Sequence, residues 1–298
     1  MSPCLFNLYI DGVVREVNAR VQGQGLKLVD GNDEEWELNQ LLFADDTVVV
    51  ADSKEKLCRL VAEFGVVCER RKLRVNVGKS KVMRCTRNED GTRLNVILNG
   101  EALEEVNQFK YLGFVIAANG RIDADVQNRV NEGCKVWGTL KGVMKNRGLE
   151  MNVKKILYEK VVLPTVMYGS ELWGMKVSDR HKLNVFEMKC LRYMNGVSRM
   201  DRIRNEEVRA RMGVRREMVE RVDMNVLRWF GHVERMDDER LPKKVRNSRI
   251  NGRNARGRPM YGWMDGVKRA LNDRRLDVNG ASERARSRNE WRAIVTQL

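Results

Sequence analysis

The sequence predicts an α+β fold that becomes all-α after about residue 119. Three observations carry this. Short β-branched runs separated by turn residues alternate with helical stretches over the first 118 positions. Two Asn-Gly pairs that suit tight turns, Asn99-Gly100 and Asn119-Gly120, punctuate residues 94–120. From Val126 onward apolar residues recur at three and four, as on a helix face.

Taken in order, Leu5, Leu8, Tyr9, Val13 and Val17 have the spacing of a helix over 4–17. Gly23, Gly25, Gly31 and Asn32 mark a loop or hairpin. Residues 36–51 read as strand, turn and strand. Ser53 can cap a helix that carries Leu57, Leu60, Val61, Phe64 and Val67 on one face. A further strand region is expected in LRVNVGKSKVMRC, 73–85, and several short strands in 94–120. Helices then follow. The first runs through Val126, Val130, Cys134, Trp137, Leu140 and Met144. The next is capped by Asn152 and broken near Pro164. Others span Ser178 to Met194, 205–212 and 216–235, with short ones near 263–273 and in RNEWRAIV. NGRNARGRPMYGW, 251–263, is rich in Gly and Arg and reads as a loop or partly disordered segment.

Composition removes several classes. No apolar run reaches the roughly 18–20 residues of a membrane span. The start, MSPCLFNLYIDGVV, lacks a basic n-region and does not read as a signal peptide. The six cysteines include no CxxC and no Cys/His cluster, which suits reduced core thiols and argues against a zinc site. The net charge of +15 is uneven: residues 235–298 hold 17 Lys/Arg against 8 Asp/Glu. Such asymmetry suggests a polyanion, most often nucleic acid, with a solubilising basic tail as the plainer reading. In that tail Arg246, Arg249, Arg253, Arg256, Arg258, Lys268, Arg269, Arg274 and Arg275 surround Tyr261 and Trp263. Arginines can fork onto phosphates and aromatics can stack on unpaired bases, which describes a clamp of low sequence specificity and strong salt dependence.

LLFADDTVVVAD, 41–52, sets Asp45 and Asp46 inside an apolar run. A bare carboxylate buried there costs several kcal/mol, about as much as any single interaction returns. The tip of a tight hairpin resolves the conflict, since it lifts both acids to one end of the strands. The pair is then either a solvated turn or part of a site for a hard divalent cation.

SPCLFNLYID, LLFADDTVVVA, LRVNVGKSKVM and FKYLGFVI, in this order over residues 1–117, resemble the later palm motifs of reverse transcriptases, closest to those of non-LTR (LINE-type) retrotransposons. LRWFGHVERMDDERLPKKV and GRNARGRP resemble the tails of the same elements. The resemblance implies a partial polymerase palm, an antiparallel sheet with helices, over 1–118. It implies a thumb-like helical region over 119–196 and a basic, helical or irregular nucleic-acid-binding segment over 197–298. It implies that Asp45 ligates a catalytic Mg²⁺ pair with Asp46 assisting, that Phe43 and Ala44 lie beside primer end and nucleotide, and that Ser2, Pro3 and Asn7 begin a helix under the template. Lys79, rather than Lys81, would sit near the departing pyrophosphate. Phe109, Lys110, Tyr111, Leu112 and Gly113 resemble a primer grip. Its plainer alternative is an ordinary hairpin with core aromatics.

The implied partners are an RNA template and a DNA primer, with no membrane and no small-molecule cofactor, in the nucleus or cytoplasm. The family pattern also places fingers and one more metal-binding Asp ahead of the Ser-Pro motif, so the chain reads as N-terminally truncated. Asp11, Asp30, Asp33 and Asp52 are poor substitutes for that acid. Two further readings stand beside an enzyme remnant that does not polymerise alone: a non-catalytic RNA- or DNA-binding protein of retrotransposon origin, and a helical scaffold in which the doublet is coincidental.

Overall fold

The computed structural model describes residues 3–85, 93–146, 148–250 and 261–297. It bears out the α+β class. The chain forms two compact units, one of residues 1–109, 117–120 and 237–257, the other of 110–116, 121–236 and 258–298. The basic C-terminal stretch is shared between them.

In the first unit α1 (Pro3–Arg20) packs on α2 (Lys54–Arg70). Val13, Val17 and Val21 meet Leu60, Phe64, Val67 and Cys68 in a small core. Ser53 caps α2 as its sequence position predicts, its Oγ accepting from the Lys56 N–H at 3.3 Å. Before α2 come two hairpins, β1 (Leu26–Val29) with β2 (Glu35–Leu38), and β3 (Gln40–Phe43) with β4 (Asp46–Val49). After it come β5 (Lys81–Val82), β6 (Ile97–Leu98), β7 (Glu101–Ala102) and β8 (Glu104–Glu105); the hairpin of β9 (Gln108–Tyr111) and β10 (Phe114–Ala117) follows, and its residues 110–116 belong to the second unit. The Asn99-Gly100 turn joins β6 and β7 with both residues at positive φ.

The strands form small, mostly antiparallel sheets beside the helices, in keeping with the α+β class. Among the described residues the strands fall into one three-stranded sheet and four pairs. The strand expected over 73–85 shrinks to Lys81–Val82. Asn76 is the cause: its side chain accepts from the Lys79 N–H at 3.0 Å and its carbonyl takes the Ser80 N–H and hydroxyl, so a local turn wins over extension.

The second unit is helical: α3 (Asp123–Lys145), α4 (Met151–Leu157), α5 (Leu163–Val166), α6 (Val177–Met194), α7 (Asn205–Arg211) and α8 (Met218–Glu234). Asn152 lies inside α4 instead of capping it; Glu150 holds that place. Pro164 does not break the helix. A π turn over Tyr158–Val162 precedes it and absorbs the hydrogen bond that proline cannot donate. α8 is the centre of the unit, with Met218, Val222, Leu227 and Phe230 fully buried. Beneath it Glu187 of α6, itself buried, takes Arg209 at 2.8 Å and the Met218 N–H at 2.9 Å. Burial pushes the Glu187 carboxyl up and Arg209 pulls it down.

The remaining elements divide. α9 (Leu241–Asn247) and β11 (Arg249–Ile250) belong to the first unit, where β11 pairs antiparallel with β1 to give the order β11-β1-β2. Trp36 fastens this return, its indole N–H on Ser248 Oγ at 2.8 Å and the Lys244 ammonium 5.0 Å over its ring. α10 (Trp263–Asn272), α11 (Val278–Ala285) and α12 (Arg288–Thr296) complete the helical unit. The six cysteines are free, but only Cys68 and Cys190 are buried, so the expectation of core thiols holds for those two. Among the described residues no helix is long and apolar enough to cross a membrane.

Close packing gives a test. A Cβ on Gly133 of α3 would meet Val166 Cγ2 at 2.3 Å and Phe186 Cζ at 3.0 Å. Gly133→Ala should therefore destabilise by about 1–3 kcal/mol through overpacking, despite its better helix propensity. Urea unfolding reads this; a stabilised variant would show that α3 can move away from α5 and α6.

Candidate nucleic-acid interface and the paired carboxylates

The doublet sits where the sequence argument requires. Phe43 pairs with Asp46, leaving Ala44 and Asp45 as a two-residue turn. Ala44 adopts φ +52°, uncommon for a residue with a Cβ and frequent at functional turns. Val49, behind the tip, packs on the α1–α2 core. Phe43, Ala44, Asp45 and Asp46 are all exposed, so the burial cost posed by the sequence is avoided.

The tip offers two carboxylates to solvent, oxygen donors of the kind a hard divalent cation takes. Neither forms a hydrogen bond or ion pair with another described residue. Among the described residues no group of three acids, histidines or cysteines could hold a metal, and β3–β4 has no third strand beside it. Among the described residues the doublet therefore offers two oxygen-donor side chains from a single strand turn, fewer than a metal pair takes. Lys79 is exposed in the Asn76 turn; Lys81 is engaged by Glu104 at 2.6 Å and by the Gly78 carbonyl at 3.0 Å. Pro3 opens α1, and Asn7 is exposed on it beside Leu5 and Leu8; Ser2 lies outside the described residues.

The β9–β10 hairpin turns at Leu112-Gly113, φ +48° and +82°. Phe109, Leu112 and Ile116 are exposed, while Phe114 packs against the helical core and Ala117 is buried, so the hairpin commits only part of its apolar residues to the interior. It is held by polar contacts. Asp125 of α3, with no solvent exposure, accepts from the Val115 N–H at 2.9 Å and from the Trp173 indole at 2.8 Å. Arg129, one turn on, donates to the Gly113 carbonyl and stacks 4.5 Å over the Tyr168 ring, while the Tyr168 hydroxyl donates to the Leu112 carbonyl at 3.2 Å. Burial raises the Asp125 carboxyl; the two donated hydrogen bonds and Arg129 oppose it. Sequence reasoning missed this group. An Asp in the first turn of a helix looks like a dipole partner, and nothing in the spacing links it to position 173.

The basic tail is partly spent on folding. Arg269 and Arg180 share Asp223, at 3.0 and 2.8 Å. Arg274 donates to the Ala270, Ile294 and Val295 carbonyls. Trp263 is half-buried with its indole N–H on the Glu171 carbonyl at 2.8 Å, which fixes its ring in the helical unit. Arg249 pairs with Asp33 at 2.6 Å, and Arg246 also has a partner. Tyr261, Lys268 and Arg275 are exposed. Arg253, Arg256 and Arg258 lie outside the described residues, as does most of the expected 251–263 loop.

Removing the Asp125 carboxyl tests the hairpin anchor. Asp125→Ala leaves two buried donors unmade, at about 1–3 kcal/mol each, whereas Asp125→Asn keeps an acceptor for one. Chemical unfolding should rank wild type above Asn above Ala. Asp45→Ala, at the exposed tip, should stay within about 0.5 kcal/mol of wild type.

Comparison with known proteins bears on these hairpins. A transposon-derived protein of Caenorhabditis elegans is 27% identical over 271 residues, covering 87% of this chain and 95% of the relative. Residues 1–116 match the model of the family described as reverse transcriptase (RNA-dependent DNA polymerase). That stretch includes the doublet hairpin and β9–β10 almost to its end. Together the two matches support a reverse transcriptase-like domain in the first part of a chain similar to a transposon-derived protein.

Proposed function

We propose that this chain is the active-site hairpin, grip hairpin, thumb-like helices and tail of a LINE-type reverse transcriptase, acting on an RNA template and a DNA primer. The observation that carries the reading is the Asp45–Asp46 doublet, lifted to the tip of a two-residue hairpin within the segment that matches the polymerase family. Two carboxylates at a strand turn are what Mg²⁺-dependent phosphoryl transfer asks of that position. In this reading Asp45 and Asp46 are the metal-facing acids, Phe43 and Ala44 border the nucleotide, and Phe109 to Gly113 steady the primer end. The polar anchoring of β9–β10, which leaves Phe109 and Leu112 facing solvent, supports a contact role over a core role. By the same reading the chain works in the nucleus or cytoplasm.

The donor set limits the chemistry. A metal pair needs carboxylates from two neighbouring strands, and the described residues supply them from one. The chain by itself is therefore expected to hold nucleic acid without extending a primer.

Primer extension on an RNA template with Mg²⁺, run beside Asp45→Ala and a salt-titrated RNA-binding assay, tests this. The expected result is salt-sensitive binding and no extension. Extension lost in Asp45→Ala would show that a further acid completes the site. Absence of both binding and extension would overturn the reading.

A further inference from the structure

The helical unit carries a groove that neither hairpin nor tail accounts for. Two hollows of about 750 and 350 Å³ adjoin beside α8, sharing Glu159, Arg216 and Arg221. The larger is lined by Lys155, Arg215, Arg216 and Arg221 against one acid, Glu159. The smaller adds Arg228 over an apolar floor of Leu163, Pro164, Met167 and Met224.

Local structure holds these cations in place. Gly213, at φ +59°, ends α7 with its N–H on the Ala210 carbonyl and the Val214 N–H on that of Arg209, the hydrogen bonds of a Schellman turn. The turn directs the Gly213 carbonyl to Lys155 Nζ at 2.6 Å and starts Arg215 and Arg216 toward α8. Arg216 donates to the Thr296 carbonyl at 2.7 Å, and Arg221 to Glu159 at 3.1 Å. Arg215 and Arg228 are exposed. Backbone carbonyls, not acids, position Lys155 and Arg216. They orient the cations without cancelling their charge. Repulsion among like charges in one concavity opposes folding, and an anion would relieve it.

We propose that this groove binds the phosphodiester backbone of a nucleic-acid strand, through residues outside both hairpins and ahead of the basic stretch 235–298, with Lys155 joined to four arginines from the start of the 197–298 segment. The proposal rests on the nucleic-acid reading above. Guanidinium groups supply four of the five cations, and their forked donors match phosphate oxygens. The apolar floor beside Arg228 suits sugars and base faces and offers nothing to a second carboxylate.

The test uses the full chain and a labelled single-stranded RNA 20-mer of mixed sequence. Arg215→Glu with Arg228→Glu should weaken binding at least tenfold and lower the slope of log affinity on log salt by about one to two, one per lost phosphate contact. Both side chains are exposed, so the thermal unfolding midpoint should hold. Lys135→Glu with Lys189→Glu, on α3 and α6, makes the same charge change away from the groove and should shift binding less than threefold. Equal losses in the two pairs would reduce the effect to net charge and overturn the groove. Wild-type binding by the groove variant would also overturn it while leaving the nucleic-acid reading intact. No binding by the wild-type chain would overturn both. If the variant lost polyglutamate binding but kept RNA, the occupant would be an acidic protein, and the proposal would fall.

Discussion

Asp125 is the residue on which the second unit's surface depends. Its carboxylate, wholly withdrawn from water, joins three parts of the chain: the returning strand of the β9–β10 hairpin, the first turn of α3, and the indole of Trp173. An ionised group in that position is tolerated because both oxygens receive a donor and Arg129 lies one helical turn away. The result is a hairpin tip fixed by polar contacts and by Phe114, with Phe109, Leu112 and Ile116 left exposed. A hydrophobic anchor would have consumed those side chains. The same economy appears at the other hairpin, where Val49 faces the core and the two acids face out. In both cases the turn displays what the core does not require.

Charge has two uses in this chain, and position decides which. Arg209, Arg269 and Arg274 serve folding: each meets buried acids or helix-end carbonyls and ties one helix to another. Lys155 and Arg216 are tethered to neutral groups, the Gly213 carbonyl for Lys155 and the Thr296 carbonyl and Met224 Sδ for Arg216, which sets their direction and preserves their charge. An excess of basic residues therefore says little by itself about where a polyanion would lie. The partner of each guanidinium is the informative quantity.

Much of the scaffold was legible because its signals are local. Ser53 announces α2, Asn99-Gly100 announces a two-residue hairpin, and the spacing from Val126 to Met144 gives α3. The doublet was legible for the same reason, since only a turn reconciles adjacent acids with apolar neighbours. What stayed hidden is non-local or compensated. Leu112 carries no turn-forming chemistry, yet takes positive φ beside Gly113. Pro164 should have ended a helix, and a π turn absorbed it. Asn76 turned an expected strand into a local turn. The groove's cations come from positions 155 to 228 and meet only through folding. β11 is two residues long, too short to have a period at all.

That short strand has a bearing on how the polypeptide matures. β1 and β2 are made early, but the partner on the far side of β1 is residues 249–250. During synthesis the helical unit up to α8 has emerged before the first sheet can acquire its third strand. Until then β1 presents an open edge able to pair with another chain. The protein thus exposes an amino-terminal vulnerability that is relieved from near its carboxyl end. A premature stop after α8 would leave the nascent first unit unfinished, though every residue lost lies more than two hundred positions from β1.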